Sequence, residues 1–457
     1  MGTKRTHARR LFGTDGIRGV ANVEPMTAET ALRLGRAAAH VFRRDARRHK
    51  IIIGKDTRIS GYLFESALTA GFCSMGVDVL LVGPMPTPAI AFLTRSLRAD
   101  AGVVISASHN AYQDNGIKFF AESGFKLPDE VEAEIEHYMN DGALDAVRPT
   151  ADAVGKAFRI DDALGRYNVF VKQAFPRELT LEGVRIAIDC AHGAAYRVAP
   201  EVLQELGATV FARGVDPDGL NINHECGALH PAPLQDLVRR ERAQIGIALD
   251  GDADRAIFVD ETGEIVDGDA VLAILADELL VYERLKDRTV VATVMSNLGL
   301  EIALRERGAR LVRVPVGDRY VVEEMRRTGC NLGGEQSGHV VLLDHSTTGD
   351  GLLTALRLLA VLVRRQRPLS ELRQIMTRFP QRLVNVPVKQ RRELNTVPAV
   401  QRVIDSVTRR LGDRGRVLVR YSGTEPLLRV MVEAEQLDQV DACVDEIAQA
   451  IQKHLAT

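Results

Sequence analysis

The chain has 457 residues, too many for one hydrophobic core, and ordinary domain sizes predict about three or four. Hydrophobic residues make up 46% and charged residues 26%. The longest apolar run, residues 352–363, contains Arg357 and is too short to cross a bilayer, so the composition is that of a soluble globular protein. With 59 Lys plus Arg against 61 Asp plus Glu the net charge is −2, which excludes a global field for nucleic acid or an anionic membrane; any charge-driven chemistry must be local.

Cys73, Cys190, Cys226, Cys330 and Cys443 are odd in number, scattered and without CxxC spacing. Neither a disulfide framework nor a zinc site is expected, and a reducing cytoplasm fits. Residues 1–10 carry basic side chains but no apolar core, unlike a secretory signal. Gly2 and Thr6 formally match a myristoylation pattern, but no second anchoring signal accompanies them, and a basic tail is the expectation.

The first notable segment is "LFGTDGIRGVAN", residues 11–22, which sets Arg18 on a glycine-rich loop. The loop reads either as a simple turn or as a device that brings a cation to an anionic centre. Strand and helix patterns then alternate: residues 50–56 and 62–76, 77–83 and 87–97, 101–107 and 128–139. That is the rhythm of a parallel α/β sheet with crossover helices.

Within it, "GVVISASHNAYQDNGIKFF", residues 102–120, is a buried strand that runs into a surplus of polar side chains, with Lys118 reading as an exposed charge after them. Ser108 lies at the carboxyl end of a strand, where α/β sheets bind ligands; by itself the segment is equally a turn or a helix N-cap. No G-x-S-x-G elbow surrounds it, which argues against a hydrolase nucleophile.

The rhythm restarts with residues 184–190, 199–207 and 245–250, and again with 288–297, 299–308 and 310–316. Residues 141–160 and 258–268 read as joints between units. After the strand at 245–250 comes "ALDGDADRAIF", in which Asp250, Asp252 and Asp254 fall within five residues. Such carboxylates repel one another unless a cation binds them, and their oxygens suit a hard divalent ion such as Mg²⁺. An EF-hand is the rival, with Glu261 at the twelfth position, but Arg255 stands where that loop needs Gly and strands flank it.

"GGEQSGHV", residues 333–340, places Glu335, Ser337 and His339 among glycines. It reads as a loop that could grip sugar hydroxyls with His339 placed for proton transfer, or as a plain glycine turn with a core histidine. From residue 382 the texture changes to a small α+β unit of antiparallel strands and two helices. Its turn "RYSGTEPLLRV" offers Arg420, Ser422, Gly423, Thr424 and Arg429, a combination suited to cradling a phosphate dianion.

In this order, "GTDGIRG", "SASHN" with "DNGIK", "DGDADR", "GGEQSGH" and "RYSGTEP" span residues 13–426 and resemble the α-D-phosphohexomutase superfamily, with wording similar to its amino-sugar branch. The resemblance implies three related α/β domains plus a smaller C-terminal α+β domain around a central cleft, expected at 1–155, 156–257, 258–370 and 371–457. It implies a phosphoserine at Ser108 and one Mg²⁺ held by that phosphate with Asp250, Asp252 and Asp254. Lys118, Arg18 and Arg255 would surround the transferring phosphoryl group, and His339 or Lys118 would serve as acid or base. Glu335 and Ser337 would take sugar hydroxyls; Arg420, Ser422, Gly423, Thr424 and Arg429 would take the phosphate that is not reacting.

The implied reaction interconverts glucosamine 6-phosphate and glucosamine 1-phosphate, with glucosamine or glucose 1,6-bisphosphate as intermediate or activator. The alternative is a phosphoglucomutase or phosphomannomutase acting on a 2-hydroxyl sugar. The partner is thus a small sugar phosphate rather than nucleic acid or a membrane, and a homodimer stays open. A C-terminal domain on a mobile joint near 368–382 would let one cradle accept a phosphate in two orientations. In residues 216–231 the segment similar to the branch's NINxxCGS has Ala228 where Ser is common.

Overall fold

The structure, a computed structural model, describes residues 11–13, 15–140, 142–389, 391–422 and 426–455. Three sheets repeat one pairing scheme. In the first, Lys50–Lys55 pairs in parallel with Asp78–Pro84 on one side and Ala101–Ile105 on the other, and Ala101–Ile105 pairs antiparallel with Asp114–Ala121. In the second, Arg185–Asp189 lies parallel to Thr209–Arg213 and Ile245–Leu249, and Ala256–Asp260 returns antiparallel to Ile245–Leu249. In the third, Thr289–Thr293 lies parallel to Arg310–Val314 and Leu332–Gly334, and Val340–Leu342 returns antiparallel.

The three loops singled out in the sequence are therefore hairpin tips rather than strand-to-helix turns. The alternation of strands and helices hides this, because each returning strand was absorbed into the motif before it. Lys118, which reads as exposed, sits on the returning strand Asp114–Ala121 with 2% of its surface accessible. No helix follows Ser108, so the N-cap reading falls. The segments read as joints also belong to sheets: Ala157–Arg159 adds an edge to the first, and Ala256–Asp260 with Ile265–Val266 closes the second.

One apolar cluster runs through all three units. It joins Ile52, Ile90 and Val104 to Tyr167, Ile186 and Ile247, and these to Leu272, Val290, Leu356 and Leu359. At its centre is helix Gly351–Arg365, buried on most of its surface. The fourth unit has its own core, including Val386, Val400, Val430, Val444 and Ile447, beneath a three-stranded antiparallel sheet ordered Gln381–Pro387, Leu427–Ala434, Gly415–Tyr421.

The fourth unit docks on the third through polar groups. Asn297 Nδ2 donates to Phe379 O at 3.0 Å and to Glu433 Oε1 at 3.1 Å, and Arg416 donates to Ser296 O at 2.9 Å. Among the described residues, no helix is long and apolar enough to cross a membrane.

Helices Ala28–Phe42 and Gly61–Ser74 touch backbone to backbone where they cross. A Cβ added at Gly71 would lie 2.5 Å from Leu32 O and 3.0 Å from Gly35 Cα. Gly71→Ala should therefore lower stability by about 1–3 kcal/mol through overpacking. Gly165, within helix Ala163–Lys172, has nothing within 4 Å of its Cβ position. Gly165→Ala should raise stability by roughly 0.5–1 kcal/mol, since only the entropic cost of glycine is removed. Denaturant midpoints of the two variants check both signs.

Candidate active site

Ser108 lies in the loop between Ala101–Ile105 and Asp114–Ala121, a tip fixed at both ends by the ladder. It is 1% exposed and adopts φ +50°, in the left-handed region. Its Oγ donates to Asp250 Oδ2 at 2.6 Å and lies 3.3 Å from His109 Nδ1. Its N–H donates to Ser106 Oγ at 2.9 Å, and Ser106 donates to Asp56 Oδ2 at 2.6 Å. Asp56 also accepts from Arg58 Nε at 2.8 Å, and Arg58 is fully buried. The Arg58 guanidinium donates to the carbonyls of Ser108, Asn110, Ala111 and Asp114, so a single side chain shapes the whole loop.

Asp250, Asp252 and Asp254 sit on the tip that follows Ile245–Leu249, all buried, with ligand oxygens within 4.8 Å of one another. Asp252 Oδ2 accepts from Thr87 Oγ1 at 2.7 Å and from Lys118 Nζ at 3.0 Å. Asp252 Oδ1 and Asp254 Oδ1 are buried without a hydrogen-bond partner. Burial, reinforced by repulsion from Asp254 and Asp252, holds the Asp250 carboxyl well above its usual range.

Burial also pushes on Asp254, but His339, Lys118 and Arg255 outweigh it and hold this carboxylate low. Three crowded, buried carboxyl groups with two orphaned oxygens among them form a donor set that fits a hard divalent cation. Glu261, the twelfth-position acid of the EF-hand alternative, instead accepts from Ser370. The N-terminus of helix Gly351–Arg365 abuts the same loop, with Gly351 N–H donating to Ala253 O at 2.9 Å, and brings the positive end of a helix dipole to the triad.

Around the acids runs a chain of alternating charge. Asp15 lies 3.2 Å from Lys118 Nζ and 2.5 Å from Lys126 Nζ, and it pairs with Arg18. Lys126 reaches Asp318 at 2.5 Å, and His339 lies 3.5 Å from Asp318 and 3.6 Å from Asp254. Burial pulls Lys118 down, yet Asp15 and Asp252 prevail and raise it, so the ammonium stays charged. Burial likewise opposes charge on His339, but Asp254, Asp318 and Glu335 raise it to about 9. One contact runs the other way: Gly349 N–H approaches His339 Nε2 at 3.2 Å, which suits a neutral ring. Two flanking carboxylates outweigh a single N–H dipole, so the imidazolium is favoured. Burial, with Arg255 and Arg18 nearby, draws His109 down to about 4 and leaves it neutral.

These groups border a cleft of about 360 Å³. Arg18, Ser108, Asp254, Arg255, Glu335 and His339 line it. Arg18 Nε and Arg255 Nε are buried with no hydrogen-bond partner. Glu335 accepts from Gly317 N–H at 3.2 Å, and Ser337 is exposed. Lys118, paired with Asp252 and Asp15, is not among the residues that line the cleft.

Arg420, Ser422 and Arg429 do not line this cleft. Arg420 and Arg429 are cross-strand neighbours in the fourth unit's sheet. The strand period of two puts them on the face whose other end, Arg416 and Glu433, docks on Ser296 and Asn297. Gly423 and Thr424 lie outside the described residues.

Sequence reasoning missed Arg58, Asp56, Ser106, Thr87, Asp15, Lys126, Asp318 and Asn223. Asp15, Ser106 and Asn223 lie inside segments already singled out (13–19, 106–110 and 216–231), and the others offered only their polarity. Nothing in spacing brings Asp318 to Lys126 or Asn223 to Ser108.

Patterns of one family cover the chain. Those described as Phosphoglucomutase/phosphomannomutase alpha/beta/alpha domains I, II and III match residues 9–145, 166–263 and 267–379, and that of the C-terminal domain matches 383–450. The phosphoglucosamine mutase of Syntrophotalea carbinolica is 60% identical over 448 residues, covering 98% of both chains, and that of Myxococcus xanthus is 60% identical over 449 residues with the same coverage. A Phosphoglucomutase/phosphomannomutase family protein from Burkholderia thailandensis superposes with a TM-score of 0.79 at 25% identity, covering 96% of this chain and 97% of that one. The Aspergillus fumigatus N-acetylphosphoglucosamine mutase, solved with GlcNAc-6P and magnesium, shares the fold with a TM-score of 0.66 at 18% identity, covering 98% of this chain and 96% of that one. Four domain patterns in order, and relatives matched over nearly their whole length, show that the chain belongs to the phosphoglucomutase/phosphomannomutase family, on its phosphoglucosamine mutase branch.

Proposed function

We propose that the chain is a phosphosugar mutase that interconverts glucosamine 6-phosphate and glucosamine 1-phosphate through a phosphoserine at Ser108 and a glucosamine 1,6-bisphosphate intermediate. The observation that carries this reading is the 2.6 Å hydrogen bond from Ser108 Oγ, on the wall of the cleft, to Asp250 of the buried carboxylate cluster. A serine that only shaped a turn would have no reason to meet a buried acidic triad. The names of relatives at 60% identity support the 2-amino sugar over the 2-hydroxyl substrates of a phosphoglucomutase or phosphomannomutase.

Phosphoryl transfer needs positioning and charge neutralisation more than covalent help from the protein. The phosphoryl group on Ser108 Oγ passes to the free hydroxyl of glucosamine 6-phosphate. The bisphosphate turns round, and its 6-phosphate returns a phosphoryl group to Ser108. Arg18 and Arg255, which line the cleft, take oxygens of the transferring group.

Asp250, Asp252 and Asp254, with the Ser108 phosphate, would hold one Mg²⁺, which when bound supplies Lewis-acid neutralisation of the phosphoryl oxygens. Lys118, fixed between Asp252 and Asp15, is a buried positive charge beside the metal loop. The acid/base role falls to His339 or Lys118, of which His339 lines the cleft. Glu335 and Ser337 hold sugar hydroxyls, and Arg420, Ser422, Gly423, Thr424 and Arg429 hold the distal phosphate.

The proposed division of labour assigns the phosphoserine to residues 1–155, the metal loop to 156–257, the sugar loop to 258–370 and the phosphate cradle to 371–457. The polar seam at Asn297 and the separate fourth core are what a joint near 368–382 needs in order to rock one cradle toward two substrate orientations. Glucose or glucosamine 1,6-bisphosphate would prime the unphosphorylated enzyme.

Protein purified from its native host should carry one phosphoryl group by intact mass. Ser108→Ala should lack it and lose mutase turnover by roughly 10³-fold or more; equal masses apart from the substitution, with activity kept, would sink the reading. Chelation should abolish turnover and Mg²⁺ restore it, whereas Asp252→Asn should show no rescue at the same Mg²⁺ concentration, followed by a coupled assay of sugar 1-phosphate. Finally, kcat/KM should rank glucosamine 6-phosphate above glucose 6-phosphate and mannose 6-phosphate, and a preference for a 2-hydroxyl sugar would overturn the substrate assignment.

A further inference from the structure

The segment 216–231 has no part in the chemistry above, yet it reaches the back of the Ser108 loop. Asn223 is 9% exposed, and its Nδ2 donates to Ser108 O at 2.8 Å and to Asn110 O at 2.9 Å. Arg58 grips the same two carbonyls from the first unit, with its NH2 nitrogen at 3.0 Å from Ser108 O and 2.8 Å from Asn110 O. Each carbonyl is therefore held twice, by donors from two different units.

The need for a double grip lies in the Ser108 backbone. Its φ of +50° is a conformation that L residues avoid, and it persists only where surrounding contacts over-determine it. That same dihedral decides where Oγ points. Asn223 itself sits at φ +59°, which asparagine tolerates better than most residues, and its own N–H is anchored on Ala191 O at 2.9 Å.

On the far side lies the metal loop. A Cβ at Gly251 would fall 2.6 Å from Ser108 O and 2.8 Å from Asn223 Nδ2. The carboxamide is thus wedged between the serine loop and the aspartate loop, with both its hydrogens committed. A carboxylate in its place would set lone pairs against two carbonyls, and a methyl group would leave both with Arg58 alone.

We propose that Asn223 is a positioning residue for Ser108: from the second unit it locks the nucleophile's main chain so that Oγ stays aimed at the cleft beside the metal loop. This rests on the reading of Ser108 as the phosphoryl carrier. In-line transfer tolerates little misalignment, and a displacement of about 1 Å can cost on the order of 10²-fold. The loss should appear in the chemical step, since Asn223 makes no contact with the space where the sugar sits.

The test compares full-length parent, Asn223→Ala, Asn223→Asp and the exposed neighbour variant His224→Ala, each primed with glucose 1,6-bisphosphate and assayed with saturating Mg²⁺. Expected is a fall in kcat of about 10- to 100-fold for both Asn223 variants, with KM within about twofold and His224→Ala at parental rate. Asn223→Asp should do no better than Asn223→Ala although it keeps the shape. Thermal unfolding establishes the folded fraction; should Asn223→Ala not fold, Asn223→Ser, which keeps a single donor, is judged by the same kcat criterion. Folded variants with kcat within about threefold of the parent, or a loss carried entirely by KM, overturn the proposal. A parent that carries no phosphoserine or shows no mutase turnover would instead overturn the reading of Ser108, so the two failures are distinct.

Discussion

Three buried, crowded carboxylates set the terms for the other charges in the centre of this protein. Asp250, Asp252 and Asp254 are buried with oxygens within 4.8 Å, an arrangement that repels itself in a low dielectric. The surroundings answer with Lys118, Arg255, His339 and a helix N-terminus, and these cations are in turn countered by Asp15 and Asp318. The alternation passes through all three α/β units, so the units cannot drift apart without exposing unpaired buried charge. Asp15, Asp254, Asp318 and His339, which bind the units together, also line the cleft.

The architecture that permits this is one strand scheme used three times. In each unit the third parallel strand returns antiparallel, so the functional loop is a hairpin tip held by a ladder on both sides. A tip fixed in this way loses less precision than a free loop, which suits groups that must meet across unit boundaries. Backbone hydrogen bonds join the units at these tips, as from Thr87 N–H to Asp252 O at 2.9 Å and from Ala256 N–H to Gly338 O at 3.1 Å. The fourth unit is different in kind. Its core is separate and its seam with the third unit is polar, a combination that favours relative motion over a fixed stance.

Much of this was legible in the chain. The restarting strand and helix rhythm marked three units, and the change of texture after residue 382 marked the fourth. Asp250, Asp252 and Asp254 announced a cation because their spacing after an apolar strand has few other uses. The returning strands were missed: Ala256–Asp260 directly follows the acidic motif and its apolar residues were assigned to a joint. Lys118 was misread for a related reason, since a lysine after a polar run looks solvated until its strand is seen to run under the serine loop.

The sequence alone determined which local chemistries exist, because a carboxylate triad, a glycine-rich cationic loop and an arginine pair beside small hydroxyls are properties of short segments. Only the tertiary structure decided which of them meet. It brought Lys126 to Asp318 across 192 positions and Asn223 to Ser108 across 115, and it kept Arg420 and Arg429 away from the lining of the cleft. Spacing along a chain constrains contacts only within an element or a turn. Contacts between units are set by how their buried faces pack, and a single apolar cluster that spans three sheets has no signature in any one segment.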